Sequence, residues 1–163
     1  MVHCTSTQAL QRLTTLCAKA EYCRQEIWRK LSRWQLADDP ETDQAAKQEI
    51  LNHLVSQHYI DEQRYAHAFV RDKFRYNRWG RMRIQQELYK RGIAEDVINR
   101  ALEEELSDED TTETLRHLIA AKRRTVKGKN DYEINGKLIR FALSHGFDMD
   151  TIRKVIHEAP DYD

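Results

Sequence analysis

The chain has 163 residues, 33% of them charged and 40% hydrophobic, and its Lys+Arg and Asp+Glu totals are equal at 27 each. A mean hydropathy of −0.83 is polar for one compact globule and ordinary for an array of amphipathic helices. No stretch approaches the roughly 18 apolar residues of a membrane span, and the opening MVHCTSTQALQRL lacks the basic start and apolar core of a secretion signal. The expectation is a cytoplasmic protein with no membrane partner. Cys4, Cys17 and Cys23 are odd in number and form no C-x-x-C pair, so they read as reduced thiols packed as small apolar residues.

Taken in order, the first helix is expected after Thr5-Ser6-Thr7, whose hydroxyls can accept bonds from free amides of a first turn. Leu10, Leu13, Leu16 and Cys17 recur at helical spacing. A second helix is predicted from Tyr22 to Leu36, with Ile27, Leu31 and Trp34 on one face. Asp39 then suits an N-cap and Pro40 the first helical position, and the helix they open carries Ile50, Leu51, Leu54 and Val55 and ends near His58-Tyr59. Asp61-Glu62 opens the next helix, where carboxylates meet the positive end of the dipole. Its stripe is Tyr65, Ala66, Phe69, Val70 and Phe74. Gly80 lies at a junction, Ile84 and Leu88 follow one turn apart, and Gly92 fits the left-handed position after a helix end. Val97, Ile98, Ala101, Leu102 and Leu106 make a further stripe.

Ser107-Asp108-Glu109-Asp110 is a strong helix start, followed by Leu115, Leu118 and Ile119. Lys127–Asp131 reads as a flexible link. Leu138, Ile139, Phe141 and Ala142 precede Gly146-Phe147, and Ile152, Val155 and Ile156 close the pattern, with Pro160 and the acidic end expected to fray. No alternating strand pattern bounded by turns is present.

Positions return at an offset of 54 residues: Ile84 with Leu138, Gly92 with Gly146, Ile93 with Phe147, Asp96 with Asp150, Ile98 with Ile152, Ala101 with Val155 and Leu102 with Ile156. A fainter echo links Gln25–Leu31 to the stretch that ends at Gly92. The predicted fold is all-α: three tandem three-helix repeats, at 1–60, 61–106 and 107–163, that bury their faces against neighbours in an elongated, curved array.

The seven histidines are scattered, with no H-E-x-x-H and no zinc spacing. Phosphate-cradling glycine loops and a G-x-S-x-G elbow are also absent from the sequence. No catalytic residue, cofactor site or metal site is predicted, and an enzyme is not expected. The positive signal is charge in blocks. From Arg71 to Arg91 eight basic residues stand against Asp72 and Glu87. From Glu103 to Glu113 there are seven acids and no base, and from Lys122 to Lys129 five bases and no acid. Arg71, Arg75, Arg81, Arg83, Lys90 and Arg91 form one candidate contact patch, and Lys122, Arg123 and Arg124 a second. Charge alone leaves open nucleic acid, an acidic protein surface or a solvated face. Arg83, Glu87 and Arg91, spaced by four, read as an ion-pair ladder along one helix.

The ordered set Ile60-Asp61-Glu62, Tyr65-Ala66, Val70-Arg71, Gly80, Ile84, Glu87-Leu88 and Arg91-Gly92-Ile93 resembles the RecX family, regulators of the RecA recombinase. Ala9-Leu10 and Gln25–Leu31 resemble that family's first unit, and the match weakens after Leu106. Arg81 stands where the family often has Pro, Ala94 where a capping Ser or Asp is common, and the gap from Asp38 to Asp43 is long. The resemblance implies three tandem three-helix repeats in a bent rod and a monomeric, non-catalytic modulator, mainly an inhibitor. Such a protein binds along the groove of the RecA–DNA filament. It restrains ATPase, strand exchange and co-protease activity in recombination, DNA repair and the SOS response, and it meets single-stranded DNA weakly or through RecA.

Overall fold

A computed structural model describes residues 1–158; the expectation for Pro160 and the acidic end falls outside them. Nine helices are present among the described residues: α1 (Ser6–Lys19), α2 (Arg24–Leu31), α3 (Pro40–Ser56), α4 (Glu62–Asn77), α5 (Arg81–Lys90), α6 (Glu95–Glu105), α7 (Asp108–Arg123), α8 (Asp131–Ser144) and α9 (Met149–His157). The fold is an all-α helical repeat. Its buried side chains fall into three clusters, each beneath three consecutive helices, with Cys23 of the first unit joining the second cluster. Leu13, Ile27, Leu31 and Leu54 centre the first, Ala66, Val70, Ile84, Leu88 and Leu102 the second, and Leu115, Leu138, Phe147 and Ile152 the third. Close helix packing likewise runs within each trio, most extensively between α4 and α6.

The chain's own caps set most boundaries. Thr5 and Gln8 close a capping box on α1, Asp39 accepts from Thr42 N ahead of Pro40 on α3, and Asp61 accepts from Arg64 N on α4. Ser107, Asn130 and Asp148 do the same for α7, α8 and α9. Asn130 therefore turns the end of the expected flexible link into a helix start, with Asp131 already helical.

Two expectations are corrected in the first trio. The second helix stops at Leu31 instead of running to Leu36, and Trp34–Gln35 (β2) pairs in parallel with Val2–His3 (β1). The bonds Val2 N to Arg33 O (3.2 Å) and Cys4 N to Gln35 O (3.1 Å) extend this pairing. A two-residue bridge carries no alternating pattern, which is why the sequence shows none. Trp34 instead packs half-buried against the first core, with Arg12 5.8 Å from its ring centroid. The chain also buries a cation that apolar periodicity does not reveal: Lys47 is 6% exposed and pairs with Asp43 at 2.6 Å. Asp43 in turn accepts from Leu36 N at 2.6 Å, and these bonds hold its carboxyl below the usual range, the Lys47 bond first. Cys23 is buried, and Cys4 and Cys17 are half-buried, all three as free thiols.

The offset of 54 survives in three dimensions. Gly92 and Gly146 both take positive φ, +74° and +91°. At each corner the next amide reaches back to the preceding helix, Ile93 N to Leu88 O and Phe147 N to Ala142 O, both at 3.2 Å. Ile84, Ile93, Ile98 and Ala101 are buried, as are their counterparts Leu138, Phe147, Ile152 and Val155. The matched acids Asp96 and Asp150 are not the caps. Asp96 and Asp150 both lie one residue inside their helices, and the capping positions are Ala94, which makes no side-chain bond, and Asp148, which accepts from Thr151 N. The echo of the first unit also changes register. The residues before α2 and α5 are Cys23 and Gly80, which aligns buried Ile27 with Ile84 and Leu31 with Leu88.

Candidate partner-binding surface

The corner between α4 and α5 gathers the cations. Helix α4 ends at Asn77 and Arg78 takes a left-handed conformation (φ 56°), uncommon for a residue with a Cβ. Trp79 N bonds back to Lys73 O at 3.2 Å and closes the turn. Arg75, Arg78 and Arg81 are exposed around this turn, and none of them pairs with a carboxylate among the described residues. Tyr76 beside them is 72% exposed, and Arg75 lies 5.8 Å from its ring centroid.

The other members of the first predicted patch are engaged by neighbouring residues to differing degrees. Arg71 is exposed but 3.5 Å from Glu105. Arg83 lies over the Trp79 ring at 4.2 Å and donates to Ser144 O at 3.2 Å. The expected ladder is therefore half formed: Arg91 meets Glu87 at 2.9 Å, whereas Arg83 turns to the third unit. Arg91 is a structural clamp. It donates to Glu87 O at 2.9 Å, sits 4.8 Å from the Phe69 ring centroid and is 3.9 Å from Glu26. The Arg91 bond, ahead of that from Lys90, holds the Glu87 carboxyl below its usual range. Burial, and then Glu26, pushes the nearby Tyr65 phenol up. Lys90 is exposed and 3.3 Å from Glu87, at the far end of α5 from Arg81.

Lys122 and Arg123 occupy the last turn of α7 and Arg124 its cap, where cations meet the negative end of the helix dipole. Arg123 and Arg124 are exposed. Lys122 Nζ lies 5.1 Å from the centroid of Phe141, whose ring is 4.5 Å from that of His145. His145 Nδ1 is in turn 3.2 Å from Arg78 O. A chain of contacts from Lys122 to Arg78 thus runs between the two patches that sequence keeps apart, across the boundary between the second and third units. Arg78, Phe141 and His145 join them, and none was singled out as a site residue. Arg78 lay within the basic run, but nothing local marks its left-handed turn, and the link to His145 exists only once the units are docked.

Two glycines hold that docking. Gly80 N bonds to His145 O at 2.7 Å and Met82 N to Gly146 O at 3.0 Å, so free amides at the start of α5 satisfy carbonyls left at the end of α8. A Cβ on Gly80 would lie 2.6 Å from Gly146 C and O, and one on Gly146 would overlap the backbone and Cβ of Arg83. Elsewhere the acidic run folds back on α4: Glu105 approaches His67 Nδ1 at 3.0 Å and Glu104 approaches Nε2 at 3.4 Å. Among the described residues no group of His, Cys, Asp and Glu is arranged to hold a metal ion, and no helix is long and apolar enough to cross a membrane. The site's chemistry is that of guanidinium and ammonium groups presented to solvent.

The fold defines an all-α array of three-helix units, and comparison with known proteins narrows it. Residues 61–102 match the model of the second three-helix domain of RecX, and residues 108–156 that of the third. A regulatory protein RecX from Clostridium botulinum is 32% identical over 126 residues, covering 74% of this chain and 57% of the relative. One from Chlorobium phaeobacteroides is 29% identical over 143 residues, covering 88% and 87%. Among solved structures, that of RecX from Lactobacillus salivarius superposes with a TM-score of 0.74 at 22% identity, covering 93% of this chain and 94% of that one. Another RecX crystal structure gives 0.80 at 24%, covering 94% and 72%. The chain belongs to the RecX family. It spans a little over half the length of the clostridial relatives, at 57% and 53%. These relatives are named as regulatory proteins.

Proposed function

We propose that this chain is a non-catalytic modulator, mainly an inhibitor, of the RecA recombinase. It binds along the groove of the RecA–DNA filament and restrains ATPase, strand exchange and co-protease activity in recombination, DNA repair and the SOS response. In this reading it works as a cytoplasmic monomer whose units, at 1–60, 61–106 and 107–163, lie along the filament. The observation that carries the reading is the surface across the second and third units. It is cationic, unpaired at Arg75, Arg78, Arg81, Arg123 and Arg124 among the described residues, and built from the two segments that match the family. A filament that holds DNA between protein walls offers phosphates and acidic side chains to such a face.

The test is single-stranded-DNA-dependent ATP hydrolysis by RecA of the same organism. Equimolar or lower amounts of this protein are expected to slow it and to co-sediment with the filament. Neither inhibition nor association would remove the reading. Tight, salt-steep binding to bare single strands without preference for RecA-coated DNA would favour instead a general DNA-binding repeat module with no recombinase partner.

A further inference from the structure

The two unit boundaries are built differently. Between the second and third units the chain passes from the cap of α6, buried Leu106, directly to the cap of α7, Ser107. No residue is left over, and main-chain bonds with a glycine-on-glycine contact complete the joint. Between the first and second units a link runs from Gln57 to Asp61, with His58 in the left-handed region at φ 60°. Close helix packing is lacking across both boundaries among the described residues, so the two joints differ in their bonds and in the chain that links them.

What spans the first boundary is a buried pivot ringed by polar contacts. Cys23, the residue before α2, is fully buried in the core of the second unit. Around it Arg64 Nε meets Glu21 at 2.6 Å, Arg24 meets Glu62 at 3.4 Å and Arg91 approaches Glu26 at 3.9 Å. Tyr65 donates to Glu26 at 3.1 Å and Gln25 to Lys90 O at 3.1 Å. Arg64 also ties down the link itself, through His58 O at 3.1 Å and Tyr59 O at 3.4 Å. The joint is not fully satisfied: Glu21 Oε2 is buried and has no partner among the described residues, an uncommon state for a buried oxygen. The Arg64 and Arg24 side chains are 45% and 58% exposed, open enough for salt to screen them.

We infer that the first unit is carried on an ionic joint that salt or a competing anion releases, turning about Cys23 and the Gln57–Asp61 link, while the second and third units stay one rigid body. The cationic face is then fixed in shape, and the first unit is the part that adjusts. This inference rests on no functional reading, and its test uses the isolated chain. Spin labels on cysteines introduced at Gln44 and Asn99 span the first boundary, and labels at Asn99 and Tyr132 span the second, in a background of Cys4→Ser and Cys17→Ser. Distances are measured by double electron–electron resonance. Raising salt from about 0.1 M to about 1 M cuts the screening length from ~10 Å to ~3 Å. The expected result is that the Gln44–Asn99 distribution broadens or gains a second population, while Asn99–Tyr132 keeps its width. Arg64→Ala is expected to show the broad distribution already at low salt, with helical circular dichroism unchanged. A Gln44–Asn99 distance that stays single and narrow at high salt, or equal broadening at both boundaries, overturns the inference.

Discussion

The corners after α5 and α8 share a sequence pattern and differ in what they touch. Both turn on a glycine with positive φ, followed by a buried apolar residue. At the third unit's corner, Gly146 lies against Arg83 and beside Gly80, leaving no room for a Cβ. At the second unit's corner, a Cβ on Gly92 would meet nothing within 4 Å. There a side chain, Gln25, supplies the contact to Lys90 O. One glycine therefore serves only the turn, while the other serves the turn and the joint. Periodicity reveals the first role, and only the docked structure reveals the second.

That difference predicts unequal costs. Gly146→Ala combines left-handed strain with a clash against backbone and is expected to destabilise by about 4 kcal/mol, read as a fall in urea midpoint. Gly80→Ala has an ordinary φ of −80° but places its Cβ 2.6 Å from Gly146 backbone. A loss of about 2 kcal/mol is expected, with weaker hydrogen-exchange protection at Met82. Gly92→Ala carries strain alone, about 1 kcal/mol. Equal losses at Gly92 and Gly146 would contradict the comparison.

The same contrast extends to caps and pH. Asp148→Ala removes a cap and is expected to cost about 1 kcal/mol, whereas Ala94→Asp adds one in the matching place and is expected to gain about 0.5 kcal/mol. The Glu87–Arg91 latch below the second corner titrates. Because Arg91 lowers the folded-state pKa of Glu87, its stabilisation is fully present above the unfolded value of about 4.3 and is lost as pH falls through the folded value. Glu87→Gln is expected to flatten that part of an acid-stability profile. The two bonds of the Gly80–Gly146 joint are main-chain and involve no carboxylate.

Helix starts, the apolar stripes and the turns at Gly92 and Gly146 were legible because each depends on residues a turn or two apart. Ala94 stood out correctly as a departure, since its helix starts without a side-chain cap. Trp34 was misplaced on a helix because its apolar spacing matches one, whereas pairing with Val2–His3 comes from residues far away in sequence. Lys47 was hidden because a cation satisfied by Asp43 four residues earlier looks like any surface pair. Within the candidate surface, type and spacing located the cations but not their engagements. Arg83 and Arg91 are taken up by Trp79, Ser144, Phe69 and Glu87. Arg78 was passed over because its role depends on the third unit.

The central claim is that the face joining the second and third units is the contact surface. It is tested most directly by co-sedimentation with RecA filaments on single-stranded DNA, comparing Arg81→Glu with Arg124→Glu in one protein and Lys90→Glu in another. The first pair is expected to lose filament binding while keeping helical circular dichroism and melting temperature, and Lys90→Glu to retain most of it. Undiminished binding by the Arg81 and Arg124 variant would show that this face is only solvated.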